Sequence, residues 1–287
     1  MTFPFKILAL GGGGTKGVLH IGALKELELR YGNLTKLFEK GIYGSSVGSI
    51  VATGLAFGLN MEQLTRITKK YMNMSVVIGK VDLHSVTSVF KNKGLFSMDM
   101  FTTQLTTAFQ SEGIDIQNKV LGDAHLPLHI VSSNLTKGIP TIFEKNVDVM
   151  SAIRASCCIP FLFQPQNIYG NLYVDGGILN VVLLSVIPPA QRNDTLLLAL
   201  IQSHSRVTPT NINLISPQDY LFRLYKSVVV NEYSKYDCSN ILKLSYPSVN
   251  GLTDVSDNVK EDMILTGQQS MRSFLLSKSR SQKCIKG

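Results

Sequence analysis

The chain of 287 residues contains no tryptophan, four cysteines and fewer acidic than basic side chains. A bilayer-spanning helix needs roughly 18 or more consecutive apolar residues, and no stretch of the sequence provides them. At the N-terminus, MTFPFKILALGGGGTKG, Lys6 is followed by only four apolar residues before the glycines. That is too few for the apolar segment of a secretory signal, and it reads as a first buried strand. Two of the cysteines, Cys157 and Cys158, are adjacent, and neither they nor Cys238 and Cys284 have zinc-knuckle or C-x-x-C spacing. A disulfide framework is therefore excluded in favour of reduced thiols. His20, His84, His125 and His129 show no metal-ligand spacing, and no D-x-D-x-D-G loop occurs. The expectation is that neither metal nor cofactor is needed.

Charged residues make up 17% of the chain, with a net charge of +8, which favours anionic partners. There is no basic helix and no aromatic-lined basic groove, so nucleic acid is not expected. The charge is dispersed except at the end, where Lys278, Arg280, Lys283 and Lys286 fall within SKSRSQKCIKG. This divides the chain into a single domain over 1–277 and a basic tail over 278–287. The expected location is cytoplasmic, with peripheral association of the tail with anionic membranes.

Lys6–Leu10 reads as a strand entering a glycine turn, and Val18, Ile21, Leu24 and Leu27 recur at helical spacing after it. A helix over Leu34–Lys40, a short strand GIYG and a helix apolar nearly all round, SIVATGLAFGL, come next. Strand, glycine loop, helix, strand, turn and buried helix is the order of a parallel α/β sheet. Further helices are expected over Met61–Met74, over Ser97–Gln110 with Ser97 as cap, and over Pro217–Tyr236 and Glu261–Leu276. Strands are expected over Leu126–Ser132, Ile139–Phe143, Asn171–Val174 and Thr195–Ile201. The stretch 245–258 reads as a polar loop.

Three motifs carry chemistry. Gly44-Ser45-Ser46-Val47-Gly48 is a G-x-S-x-G turn between strand and helix, the setting in which a serine can be a nucleophile. GGGGTKG, Gly11–Gly17, offers consecutive amides to an anion. It fails as a Walker loop, because no serine or threonine follows a glycine-lysine pair. Gly12, Gly14 and Gly17 fit a dinucleotide fingerprint, but the next strand ends without an acidic residue for a ribose. The remaining reading is an oxyanion hole beside Ser46. The third motif, Tyr173-Val174-Asp175-Gly176-Gly177, places an aspartate at the end of a short strand.

Together, Gly12–Gly17, Gly44–Gly48 and Ala152–Gly177 resemble the patatin-like phospholipases, in the right order and over essentially the whole domain. The resemblance implies a three-layer α/β/α sandwich with a mostly parallel central sheet. It also implies a Ser–Asp dyad, with Ser46 as nucleophile and Asp175 as the residue that activates it. Gly12, Gly13 and Gly14 would form the oxyanion hole, with Lys16, Gly17, Gly44, Gly48, Gly176 and Gly177 supporting the motifs. One departure is that Asn180-Val181-Val182 stands where the family often has a proline two residues after an asparagine. The implied activity is phospholipase A-type cleavage of fatty-acyl esters in phospholipids or related lipids. Two alternatives stay open: an α/β-hydrolase triad of Ser46, Asp175 and His204, and a dinucleotide-binding protein.

Overall fold

The computed structural model describes residues 3–78, 89, 91–180, 182–201, 207–215, 220, 223, 235–236, 238–249 and 251–284. His84, His204, Val181 and most of the helix expected over 217–236 lie outside the described residues. The strands are β1 (Ile7–Leu10), β2 (Gly41–Ser45), β3 (Gly94–Phe96), β4 (Leu128–Asn134), β5 (Ile139–Ile142), β6 (Phe161–Phe163), β7 (Gln166–Ile168), β8 (Asn171–Val174), β9 (Thr195–Ile201) and β10 (Ile241–Ser245). The helices are α1 (Val18–Tyr31), α2 (Leu34–Leu37), α3 (Val47–Ala56), α4 (Met61–Tyr71), α5 (Met74–Val77), α6 (Asp99–Ser111), α7 (Val149–Ser156) and α8 (Asp257–Cys284).

The main sheet runs in the order β10-β9-β1-β2-β4-β8-β7, with β5 also paired to β4. From β10 to β4 every pair is parallel, whereas β5, β7 and β8 join antiparallel. Successive side chains of a strand point to opposite faces, and a strand covered on both faces is apolar throughout. KILAL obeys this. Leu8 and Leu10 join Ile42, Ile130, Leu196 and Leu198 in the larger core, under α1, α3, α4, α6, α7 and α8. Ile7 and Ala9 face the other way, with Tyr43, Val131, Leu197 and Ala199, against Val182–Leu184 and Ile187.

Helices α1 and α8 pack backbone to backbone. A side chain at Gly22 would strike the Ile264 carbonyl, and one at Gly267 the Leu19 carbonyl. Arg272 then donates through two nitrogens, both at 3.0 Å, to the buried carboxylate of Glu26.

Element boundaries depart from expectation in a few places. The helix expected from Ser97 begins at Asp99, with Met98 as its first flanking residue, and Ser97 Oγ instead donates to the Asp99 carboxylate at 2.9 Å. The last helix does not stop at Leu276 but continues through Lys278 to Cys284, so the expected seam at 277 lies within it. Lys278 Nζ lies 5.8 Å from the centre of the Phe5 ring and 5.6 Å from that of Phe274, a packing partner that a polar sequence does not advertise.

Candidate active site

Strand β2 passes into α3 through Ser46, whose φ of 51° and ψ of −131° are rare for any residue with a side chain. Such strain persists only where the surroundings fix it. Here the Ser46 amide donates to Ser156 Oγ at 2.9 Å, and Ser156 Oγ donates to the Val131 carbonyl at 2.6 Å. The Ser46 carbonyl accepts from Ser49 N at 2.8 Å and from Ser49 Oγ at 2.6 Å. Gly44 and Gly48 are matters of space. A methyl at Gly44 would sit 2.6 Å from Ser49 Cα, and one at Gly48 would strike the Leu10 carbonyl. The positive end of the α3 dipole therefore lies at Ser46, where negative charge is favoured.

Strand β8 runs antiparallel to the end of β4 and delivers Asp175 to the same place. The Asp175 amide donates to the Cys158 carbonyl at 2.7 Å, and its carbonyl accepts from Ser133 Oγ at 2.9 Å. Its carboxylate accepts from the Gly177 amide at 2.8 Å. Burial pushes the Asp175 carboxyl up to about 6, and the nearby Ser46 side chain and the Gly177 amide keep it from rising further. Gly176 leaves no room for a side chain, which would strike Ser45 Oγ and the Val131 carbonyl.

Gly12 lies against the nucleophile elbow, where a methyl would be 2.9 Å from Ser46 Cβ. The Gly11 amide extends the sheet to the Leu198 carbonyl, the Thr15 amide donates to the Gly251 carbonyl, and the Lys16 amide closes a turn on Gly13. Among the described residues the amides of Gly12, Gly13 and Gly14 have no partner. Of the three, Gly12 lies against Ser46, and Gly14 lines the cavity onto which Ser46 opens. Gly17 packs against Val47, where a methyl would be 2.5 Å from a side-chain carbon. Lys16 is not a wall of the site. Its buried amine donates to the Ile201 carbonyl at 3.3 Å, and burial lowers its pKa to about 8.

Ser46 opens onto a cavity of about 720 Å³, counted to its open mouth and lined mainly by apolar side chains, Ile50, Ile67, Phe101, Leu105 and Phe163 among them. No described histidine lines it. His20 is completely buried, and burial lowers its pKa to about 4, so it is neutral. Burial also pushes the Cys158 thiol up to about 12 and keeps Cys157 protonated. Among the described residues no three metal-ligating side chains gather.

The family profile for patatin-like phospholipase matches residues 8–187, which span the glycine loop, the elbow and the Asp-Gly-Gly turn. The chain belongs to the patatin-like phospholipase family. Proteins similar to it include an uncharacterized protein of Acanthamoeba polyphaga mimivirus, 32% identical over 60% of this chain and 58% of that protein. A probable lipid hydrolase of Invertebrate iridescent virus 6 is 23% identical over 92% of this chain and 87% of its own length. The fold is also that of VipD from Legionella pneumophila, with TM-score 0.59 and 16% identity over 96% of this chain and 67% of VipD. The patatin-like family is one of lipid ester hydrolases, and that is this enzyme's class.

Sequence reasoning brought Ser46, Asp175 and the glycines together but missed what holds them. Ser133 and Ser156 tie the Asp175 turn and the elbow to β4, and Ser132 Oγ lies 2.8 Å from the Val174 carbonyl. A serine pair closing an otherwise apolar strand was the available signal. Gly251, which caps Thr15 from a loop expected to be merely polar, gave none.

Proposed function

We propose that the protein is a phospholipase A-type acyl hydrolase acting on phospholipids or related lipid esters through a Ser46–Asp175 dyad. Ser46 Oγ attacks the acyl carbonyl while its proton passes to the Asp175 carboxylate. The Gly12, Gly13 and Gly14 amides receive the oxyanion as it forms, aided by the α3 dipole. Collapse of the tetrahedral intermediate breaks the ester C–O bond, and Asp175 returns the proton to the departing alcohol oxygen. A water molecule, giving its proton to Asp175, then attacks the acyl-serine; the bond to Ser46 Oγ breaks, Asp175 returns the proton to that oxygen, and the fatty acid leaves. The apolar cavity beside Ser46 takes the acyl chain. No described helix is long and apolar enough to cross a membrane. We place the enzyme in the cytoplasm, meeting its substrate at a membrane surface.

What supports this reading is the nearness of the Ser46 side chain to the buried Asp175 carboxylate, whose pKa it lowers. In a triad the acid instead bonds a histidine that stands between the two. The dinucleotide reading is disfavoured because the Gly251 carbonyl occupies the Thr15 amide and the space over Gly14.

A fluorophosphonate probe should label Ser46 and no other residue, and Ser46→Ala should abolish labelling and hydrolysis with an unchanged circular dichroism spectrum. His204→Ala should alter turnover by less than about tenfold, whereas loss of a triad histidine costs several orders of magnitude. A His204→Ala loss beyond about a thousandfold would establish the triad in place of the dyad.

A further inference from the structure

The hairpins β4–β5 and β7–β8 both rise past the level of the catalytic pair. Strand β8 descends to Asp175, so Asn171 at its start stands four residues, or about 13 Å, beyond it at strand rise. The two turns are joined: the Leu135 amide donates to the Leu172 carbonyl at 2.8 Å, and the Leu172 amide to Thr136 Oγ1 at 2.9 Å. Several of the side chains they present to solvent are apolar. Tyr169 is 80% exposed, Leu135 47%, Ile139 49% and Leu172 45%.

Tyr169 is also in an unusual place. Its φ is 49° in a tight turn, a conformation that asparagine or glycine adopts at little cost and an aromatic residue does not. Nothing in the fold repays this strain, since the ring is in water. The charge around the turns is equally selective. From Ala124 to Phe143 the only lysine, arginine, aspartate or glutamate is Lys137, which is exposed at the tip, beside the two histidines His125 and His129, and from Ala155 to Val174 there is none of the four. Strand edges facing water ordinarily carry charge.

We infer that these joined turns, Leu135–Ile139 and Tyr169–Leu172, are the surface by which the enzyme docks on a phospholipid bilayer containing anionic lipid. The inference rests on the lipid-hydrolase reading of the same site. Leucine and isoleucine enter the acyl boundary and Tyr169 sits at the headgroup level, where its ring is apolar and its hydroxyl wet. Lys137 meets the anionic headgroups, and no carboxylate on either hairpin opposes it. Because the turns stand at the same end of the sheet as Ser46, docking there presents the active-site end to the lipid.

The test uses the full chain carrying Ser46→Ala, so that binding is read without hydrolysis, in co-sedimentation with vesicles of phosphatidylcholine and phosphatidylglycerol. Tyr169→Asn should lower partitioning about tenfold, and Leu135→Ser with Tyr169→Ser and Leu172→Ser about a hundredfold or more, from the apolar area lost. Tyr169→Asn should melt no lower than its parent, because asparagine relieves the positive φ. In the Ser46 background both variants should cleave a soluble short-chain ester at the parent rate. Equal partitioning of parent and triple variant, or no binding by the parent, would overturn the inference. So would loss of self-association in sedimentation velocity with vesicle binding intact, which would assign the surface to a second copy of the chain. If the short-chain ester is not cleaved at all, the proposed reaction falls, while the vesicle result still judges the surface.

Discussion

At Asp175 two effects oppose each other. Burial disfavours the carboxylate, the nearby Ser46 side chain and the Gly177 amide favour it, and burial prevails, leaving the group at about 6 against an ordinary 3.8. A base must be ionised to accept the serine proton, so kcat/KM for a soluble ester should rise with pH through an apparent pKa near 6 and level off above it. A pH–rate profile flat between pH 4 and 8 would remove Asp175 from that role. The stability consequence has the opposite sign. A carboxyl raised in the folded state contributes stability that is full below about 4 and lost as pH rises through about 6. Asp175→Asn should therefore be inactive yet more stable than the parent at pH 8. The gain should be up to about 3 kcal/mol for a shift of roughly two units, vanishing near pH 4. Thermal melts of both proteins across that range measure it directly.

The elements around the site are held by a loop outside the matched family region. Residues 246–256 connect β10 to α8. Gly251 accepts from Thr15 N at 3.0 Å. Val255 exchanges hydrogen bonds with the Asn73 side chain, at 3.1 and 3.3 Å, and Asp254 accepts from Ser75 N at 2.9 Å. The loop thus fastens the glycine loop to α5, whose Met74 and Val77 line the cavity. A side chain at Gly251 would strike the Gly13 carbonyl and displace the amides meant for the oxyanion. Gly251→Ala should lower kcat by up to about a hundred- to a thousandfold, the cost of losing an oxyanion donor, with KM little changed. A normal kcat in that variant would free the glycine loop from this loop's control.

On the scale of the whole molecule, the direction of α8 decides what its basic end can do. It runs alongside α1 from the Gly251 loop, past Glu26, to Lys278 beside Phe5. Phe5 precedes β1, so this end of the helix lies at the base of the sheet, opposite Ser46. Each basic residue near an anionic surface is worth about 1 kcal/mol, so three acting on the membrane would change binding roughly a hundredfold. With the active-site end facing the lipid, Lys278 lies at the far end of the molecule. Arg280→Gln, Lys283→Gln and Lys286→Gln together should leave hydrolysis of anionic vesicles within about twofold of the parent. A large loss would restore the tail as the adhesive expected from charge alone.

The sequence by itself determined the strand–loop–helix order, the sheet's apolar strands and the family motifs, because each leaves a local mark. A strand buried on both faces is continuously apolar, as KILAL is, and a serine at a strained elbow needs the small neighbours Gly44 and Gly48. The tertiary structure alone decided what has no local mark. Ser133 and Ser156 became the supports of Asp175 and Ser46 only when β4 was laid beside both. Lys16, placed in a glycine motif by its sequence, was turned to the end of β9. The Gly251 carbonyl reached Thr15 across more than two hundred residues of chain. A backbone carbonyl or a serine hydroxyl is the same in every sequence context, and its partner is chosen by which strand ends the fold brings together.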